Sequence, residues 1–467
     1  MNLIERFVKT SAVYLLGKIA TYIVSFLMLR YYTSNILPAE YGQYEYILSI
    51  VDVVIPVLFI ELWSGILRFG MEGDSENKTE VISTALFMLI PAAVLYSLFY
   101  YLAIIVFHLK AYSLAYIYAG LVMLVNVFMR ISRILGKNKL FAMSGIIGSL
   151  FNAFVGYICV HFFNMQCDAL MLAMIASYTI QIAFLCIGTK VWSYIRITKY
   201  NKTRAKRMVI YCFPFALNTI LYYINTNYYK SVVKIHLGSD VLGVFSVSTK
   251  FCVLITFVVS VFHMSWQEMT YSLSEDTERV KIYGKGLSVL TEIVLVGTLL
   301  LLPILKIIFP IFIGSQYSEA AIYIPAYYST VYFSSIAGFI YNTLTAENIT
   351  IFHPITKLIT AIVNLFLIYS LINSLGIFAI IIAAVVSGTV EMLVLMIVAA
   401  KKIHVPVDFI HTALFVVFYL IESFLYLMFG TLVNTLLLFV IIIASVLFLG
   451  YKYKNILIAF KEKYGSR

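Results

Sequence analysis

Two long apolar runs open the chain, joined by one polar turn: SAVYLLGKIATYIVSFLMLRYYT (11–33), SNILPAEYGQYEY (34–46) and ILSIVDVVIPVLFIELWSGILRF (47–69). A helix needs about 20 apolar residues to cross a bilayer, and each run is long enough. Lys18, Asp52 and Glu61 lie inside them. A charge at the centre of a membrane helix costs roughly 2.5–3.5 kcal/mol on insertion scales. Three such charges in the first two spans point to a polar interior or to a direct use.

The rest of the chain has the same character. Of 467 residues, 62% are hydrophobic and only 12% charged, and the mean hydropathy is +0.96. Whole runs are apolar, without the alternation that barrel strands require, so the class expected is an all-α polytopic membrane protein. The N-terminal run lacks a small-residue exit and carries Lys18, so it reads as a permanent span and not as a cleaved signal. The net charge of +11 fits basic loops on one side of a membrane, and no nucleic-acid partner is expected. Cys159, Cys167, Cys186, Cys212 and Cys252 show no C-x-x-C spacing and read as packing residues.

About fourteen runs of spanning length follow one another: 11–33, 41–68, 81–107, 112–135, 140–163, 168–190, 208–235, 241–268, 286–309, 320–345, 354–373, 376–400, 408–429 and 432–450. Charge checks the count. Even-numbered connections are basic: Arg130, Arg133, Lys137 and Lys139 after the fourth run, and seven cations from Lys190 to Arg207 after the sixth. Arg279, Lys281 and Lys285, then Lys357, then Lys401 and Lys402, then the tail from Lys452 to Arg467 complete the series. The opposite side is almost bare, with Lys110 the exception, so both termini are expected in the cytoplasm. One inner connection, FGMEGDSENKTE (69–80), is acidic instead.

The basic stretch after the sixth run is the longest polar insertion and reads as a linker between two six-helix lobes. The expected division is 1–207, 208–403, and a further helix pair with a basic tail at 404–467. An internal echo supports it. Leu37-Pro38-Ala39-Glu40-Tyr41-Gly42-Gln43-Tyr44 opens the second run, and Leu237-Gly238-Ser239-Asp240-Val241-Leu242-Gly243-Val244-Phe245 opens the eighth. Six spans per copy keep the orientation, so the repeat is parallel, a transporter arrangement that places a site between halves.

These segments, with Tyr14-Leu15-Leu16-Gly17 and Ile66-Leu67-Arg68-Phe69, resemble the polysaccharide (O-antigen-type) flippases of the multidrug/oligosaccharidyl-lipid/polysaccharide exporter superfamily. The resemblance covers essentially the whole chain, although each motif is short. It implies that an undecaprenyl-diphosphate-linked oligosaccharide is moved across the bacterial plasma membrane by alternating access, for surface polysaccharide biosynthesis. It also implies membrane lipids and polysaccharide polymerase machinery as partners. No cofactor is expected beyond sodium or proton coupling.

Such a substrate needs cations for its diphosphate and polar or aromatic side chains for its sugars. The cations within runs are Lys18, Arg30, Lys230, Lys234 and Lys250. Tyr223, Asn227, Lys230 and Lys234 fall on one helical face, and Tyr22 shares a face with Lys18. Tyr22, Tyr223 and Asn227 are therefore candidate sugar contacts, and Asp52 and Glu61 are candidate coupling or pairing carboxylates facing Lys230 and Lys250. Glu292, Glu391 and Glu422 stand isolated in the sequence, and tyrosines 31, 32, 41, 44 and 46 read as an interfacial aromatic belt. No P-loop or nucleophile elbow occurs, so ATP-driven transport is not expected. The outer connections are too short for the loop that a polyprenyl-linked glycosyltransferase or O-antigen polymerase needs, so an enzyme is not expected. A cation-coupled small-molecule antiporter of the same superfamily and a peptidoglycan-precursor flippase are the competing readings.

Overall fold

Pro56 sets the geometry of the opening hairpin. It has no N–H to return to the carbonyl of Asp52, and the helix that contains it ends two residues later. In the computed structural model, which describes residues 3–72, 75–107, 112–272, 278–405 and 409–452, α1 is Leu3–Asn35 and α2 is Pro38–Leu58. Ile60 and Glu61 then take left-handed backbone angles, with φ of 49° and 46°, and α3 (Leu62–Gly70) leaves at 55° to α2.

The remaining helices are α4 (Ser75–Phe107), α5 (Ser113–Ile134), α6 (Asn138–Phe163), α7 (Cys167–Thr189), α8 (Lys202–Thr226), α9 (Tyr228–His236), α10 (Ser239–Lys250), α11 (Val253–Ser272), α12 (Arg279–Phe312), α13 (Ala320–Ala346), α14 (Phe352–Leu375), α15 (Ile377–Lys402), α16 (Phe409–Met428) and α17 (Thr431–Lys452). No strand occurs among the described residues. Each of the fourteen runs is helical. Three of them, the second, seventh and eighth, are broken in two, which accounts for seventeen helices. Among the described residues eight helices are each long and apolar enough to cross a membrane, or up to ten when two bent pairs count as single spans. The α4 residues Ile90, Val94, Leu95, Leu98, Leu102 and Ile105 are exposed, as a lipid-facing side requires.

The two bent pairs are α2/α3 and α10/α11, which open on the two copies of the repeated motif. Pro56 explains the first. At the second, Ser248 and Thr249 hydroxyls donate to the Phe245 and Ser246 carbonyls at 2.6 and 2.8 Å, competition that bends helices, and the bend is 52°.

The chain forms two compact units, Met1–Gly243 and Val244–Arg467. The division expected at 207 differs from this spatial one because α8 packs on α2, α3 and α4, and α9 on α2. In the first unit Ile47, Val51 and Ile55, one turn apart on α2, join Ile66, Ile82, Tyr118, Val127 and Ile131 in a buried core. In the second unit α13 is the central element, packed on α11, α12, α15 and α16 and burying Tyr328, Tyr332 and Phe339.

Polar contacts tie connections of like parity together. Leu37 N donates to Gln166 Oε1 at 3.0 Å, and Cys167 N to Glu40 Oε2 at 3.3 Å, joining the first and fifth connections. At the other end Lys199 pairs with Glu76 (2.5 Å) and Arg204 with Glu80 (3.0 Å). The acidic connection that broke the charge pattern is thus neutralised by the basic linker. Arg279 and Glu347 (2.8 Å) join the eighth and tenth connections in the second unit. Lys110 and the tail beyond Lys452 lie outside the described residues, as does the side chain of Lys18.

Within the first unit the two motif copies meet. A Cβ on Gly42 would lie 1.8 Å from the Ser239 carbonyl oxygen, and one on Gly243 would lie 1.9 Å from that of Pro38. The contact is reciprocal, each glycine meeting the residue four positions before the other. Only glycine allows two helix ends so close. Gly42→Ala and Gly243→Ala should each destabilise the protein by at least about 1–3 kcal/mol, whereas Gly120→Ala, which has open space at its Cβ, should not. Thermal unfolding of the full-length protein in detergent checks this.

Candidate functional site

The seventh run, on which a polar face is expected, is interrupted. α8 stops at Thr226, Asn227 takes φ −125°, and α9 begins at Tyr228, with no proline or glycine at the break. Asn227 N donates to Tyr223 O (2.8 Å), and its own carbonyl accepts from Lys230 N (3.0 Å), so the backbone stays satisfied. Tyr223 is buried, and its hydroxyl shares a hydrogen bond with Ser231 Oγ across the break (3.0 Å).

α9 lays both lysines on α2. Lys230 Nζ is 2.8 Å from Glu45 Oε2, with side-chain exposures of 13% and 2%. A pair so withdrawn from water is sustained by mutual attraction against a desolvation cost of several kcal/mol per ion. Its carboxylate is Glu45, not the Asp52 or Glu61 expected. One turn on, half-buried Lys234 donates to the side-chain carbonyl of Gln43, and its ammonium stands 3.8 Å from the centre of the Tyr46 ring. Both partners are neutral. Among the described residues Lys234 forms no salt bridge, so this cation keeps its charge uncompensated beside a broken helix.

Glu61 sits at the α2/α3 bend. It accepts from Thr219 Oγ1 of α8 at 2.5 Å and from Ser64 Oγ at 3.3 Å, and lies within electrostatic range of Arg130 on α5. Asp52 is exposed on α2 and acts electrostatically on Tyr118 and Tyr178. The structure therefore brings Lys230 and Lys234 onto α2, leaves Asn227 at the break between α8 and α9, and joins Glu61 to α8. Arg30 and Tyr22 are exposed on α1, and Lys250, half-buried, ends α10. Sequence reasoning missed Glu45, Gln43, Thr219 and Arg130. Glu45 stands one residue past the Leu37–Tyr44 motif, between Tyr44 and Tyr46, which read only as an aromatic belt. Arg130 had been read as an orientation marker only.

The carboxyls read as isolated are mostly paired. Glu292 pairs with Lys452, and Glu391 with Lys357 at 2.6 Å.

Comparison with known proteins decides the family. A model described as "Polysaccharide biosynthesis protein" matches residues 7–266, more than half of the chain. The chain belongs to this family. No curated protein sequence matches it. Among solved structures, the lipid II flippase MurJ in an inward closed conformation is similar with a TM-score of 0.69 and 16% identity, covering 96% of this chain and 100% of that one. A multidrug resistance MATE family transporter of the MOP superfamily, inward-facing, gives a TM-score of 0.61 at 14% identity, covering 82% and 98%. At such identities the likeness concerns the fold, which is that of multi-span transporters and flippases.

Lys230→Met should destabilise the protein by about 3–5 kcal/mol, since it strands Glu45 as a buried charge. Adding Glu45→Gln should recover a large part of the loss. A double-mutant cycle by thermal unfolding reads the coupling, and simple additivity would remove the ion pair from the site.

Proposed function

We propose that this polysaccharide biosynthesis family member flips an undecaprenyl-diphosphate-linked oligosaccharide across the bacterial plasma membrane by alternating access, supplying surface polysaccharide synthesis, with both termini in the cytoplasm. The observation that carries the reading is Lys234, a half-buried cation on α9 whose partners among the described residues, Gln43 and Tyr46 of α2, are neutral. A diphosphate supplies the charge that this lysine lacks, and an ammonium is a mobile point charge suited to an anion that must later leave. Lys230 is compensated by Glu45 and serves to hold α9 on α2. Lys18, Arg30 and Lys250 are further cations along the path, and Tyr22, Tyr223 and Asn227 are assigned to the sugars. In this assignment Tyr223 reaches a sugar only by giving up Ser231. Asp52 and Glu61 are proposed as sodium or proton coupling groups, Glu61 by virtue of its place at the bend between α2 and α3. Proposed partners are membrane lipids and the polymerase that consumes the flipped product, and no catalytic role is assigned.

A peptidoglycan-precursor substrate is the second reading. The fold likeness to the lipid II flippase along 96% of this chain favours it, and the family match favours the polysaccharide intermediate. Deleting the gene and following lipid-linked intermediates separates them. The expected result is accumulation of a lipid-linked surface-polysaccharide intermediate on the cytoplasmic leaflet with peptidoglycan precursors unchanged. Accumulation of peptidoglycan precursors would favour the second reading. Unchanged lipids with altered drug tolerance would contradict both and point to an antiporter.

A further inference from the structure

The second unit compensates its withdrawn carboxylates with cations: Glu292 has Lys452, Glu347 has Arg279 together with the Tyr283 hydroxyl, and Glu391 has Lys357. Glu422 on α16 departs from that pattern. It is 4% exposed, and neither carboxyl oxygen has a hydrogen-bond partner among the described residues. On α16, Tyr419, Glu422 and Tyr426 share the buried face, whereas Val417, Phe418, Leu420, Ile421 and Phe424 are exposed. The carboxyl therefore points inward from an apolar helix, toward α12 and α13, on which α16 packs.

Among the described residues no cation pairs with the carboxyl and no group donates a hydrogen bond to it. Tyr328 on α13 and Tyr419 on α16 lie within electrostatic range of the carboxyl. Tyr419 donates its hydroxyl to the Pro325 carbonyl at 2.5 Å. The buried hydroxyls of Tyr328 and Tyr426 have no hydrogen-bond partner among the described residues. Cys252, before α11, acts on Tyr328 and Tyr419 and carries no formal positive charge. Lys306 on α12 is spent on Tyr426, 2.7 Å from its carbonyl oxygen and 4.6 Å from its ring centre. On α17, Asn434 turns its amide to the Phe429 and Gly430 carbonyls. An ionised carboxylate with neither donor nor cation is too costly in so apolar a place, and the group neutralises instead.

We propose that Glu422 is a proton-binding site within the membrane, protonated while α16 is packed on α12 and α13. Ionisation requires that water or a donor reach the carboxyl, so gain and loss of this proton are tied to movement of α16. The proton is the ligand inferred, since a sodium ion needs several oxygen ligands, and the oxygens that the structure shows within range of Glu422 are the Tyr328 and Tyr419 phenols, the latter already donating to the Pro325 carbonyl.

Infrared spectroscopy of the full-length protein in lipid, at neutral pH and through a pH titration, tests this. A protonated-carboxyl C=O band should be present at neutral pH, be absent in the isosteric Glu422→Gln, and be shifted in Glu422→Asp. The Asp variant keeps the test open should the Gln variant fail to fold. No such band in the wild type at neutral pH, or the same band in both variants, would overturn the assignment. So would a band abolished by exchanging potassium for sodium at fixed pH, which would make Glu422 a sodium ligand.

Discussion

An uncompensated charge in an apolar medium is expensive, and the first unit is arranged around two that receive opposite treatment. Lys230 is neutralised by Glu45 in a pair almost closed to water. Lys234, one turn further along the same short helix, is given a carbonyl and an aromatic face but no anion. The first interaction fixes α9 on α2. The second leaves a positive charge at a defined place. A lysine kept for packing alone would be served better by a carboxylate, so its neutral surroundings suit a ligand that brings its own negative charge.

Helix breaks make this arrangement possible. The seventh run is interrupted at Asn227, and α9, which follows the interruption, packs on α2. The bend after Pro56 turns Glu61 toward α8, where Thr219 meets it. Non-helical backbone inside a membrane is tolerated where protein or a wet cavity surrounds it, and short, broken helices in corresponding positions of two halves are where transporters place their sites. The reciprocal approach of Gly42 and Gly243 shows that the two motif copies are related in space as well as in sequence.

Much of the fold was legible beforehand, because apolar length and loop charge are local properties of a membrane chain. All fourteen runs became helix, and the acidic connection fell against the basic linker as alternation requires. Pro56 stands at one break, although Pro91, Pro214, Pro303 and Pro325 lie inside unbroken helices. The break at Asn227 had no proline or glycine to mark it. The site was only half legible. The lysine face could be read from its spacing, but its partners are set by packing between helices far apart in the chain. Glu45 and Lys230 are 185 residues apart, and Lys452 and Glu292 are 160 apart, separations at which one sequence carries no pairing signal. The same limit made Glu422 look no different from Glu391, although only the latter meets a lysine.

The measurement that bears most directly on the role of the uncompensated cation is the affinity of the purified, full-length protein for a polyprenyl diphosphate. Wild type is compared with Lys234→Gln and Lys234→Arg. A charge-assisted hydrogen bond contributes about 1.5–3 kcal/mol, so Lys234→Gln should bind at least about tenfold more weakly, with Lys234→Arg retaining most of the affinity. Equal affinity in all three proteins, at equal thermal stability, would contradict the assignment and leave Lys234 a packing residue.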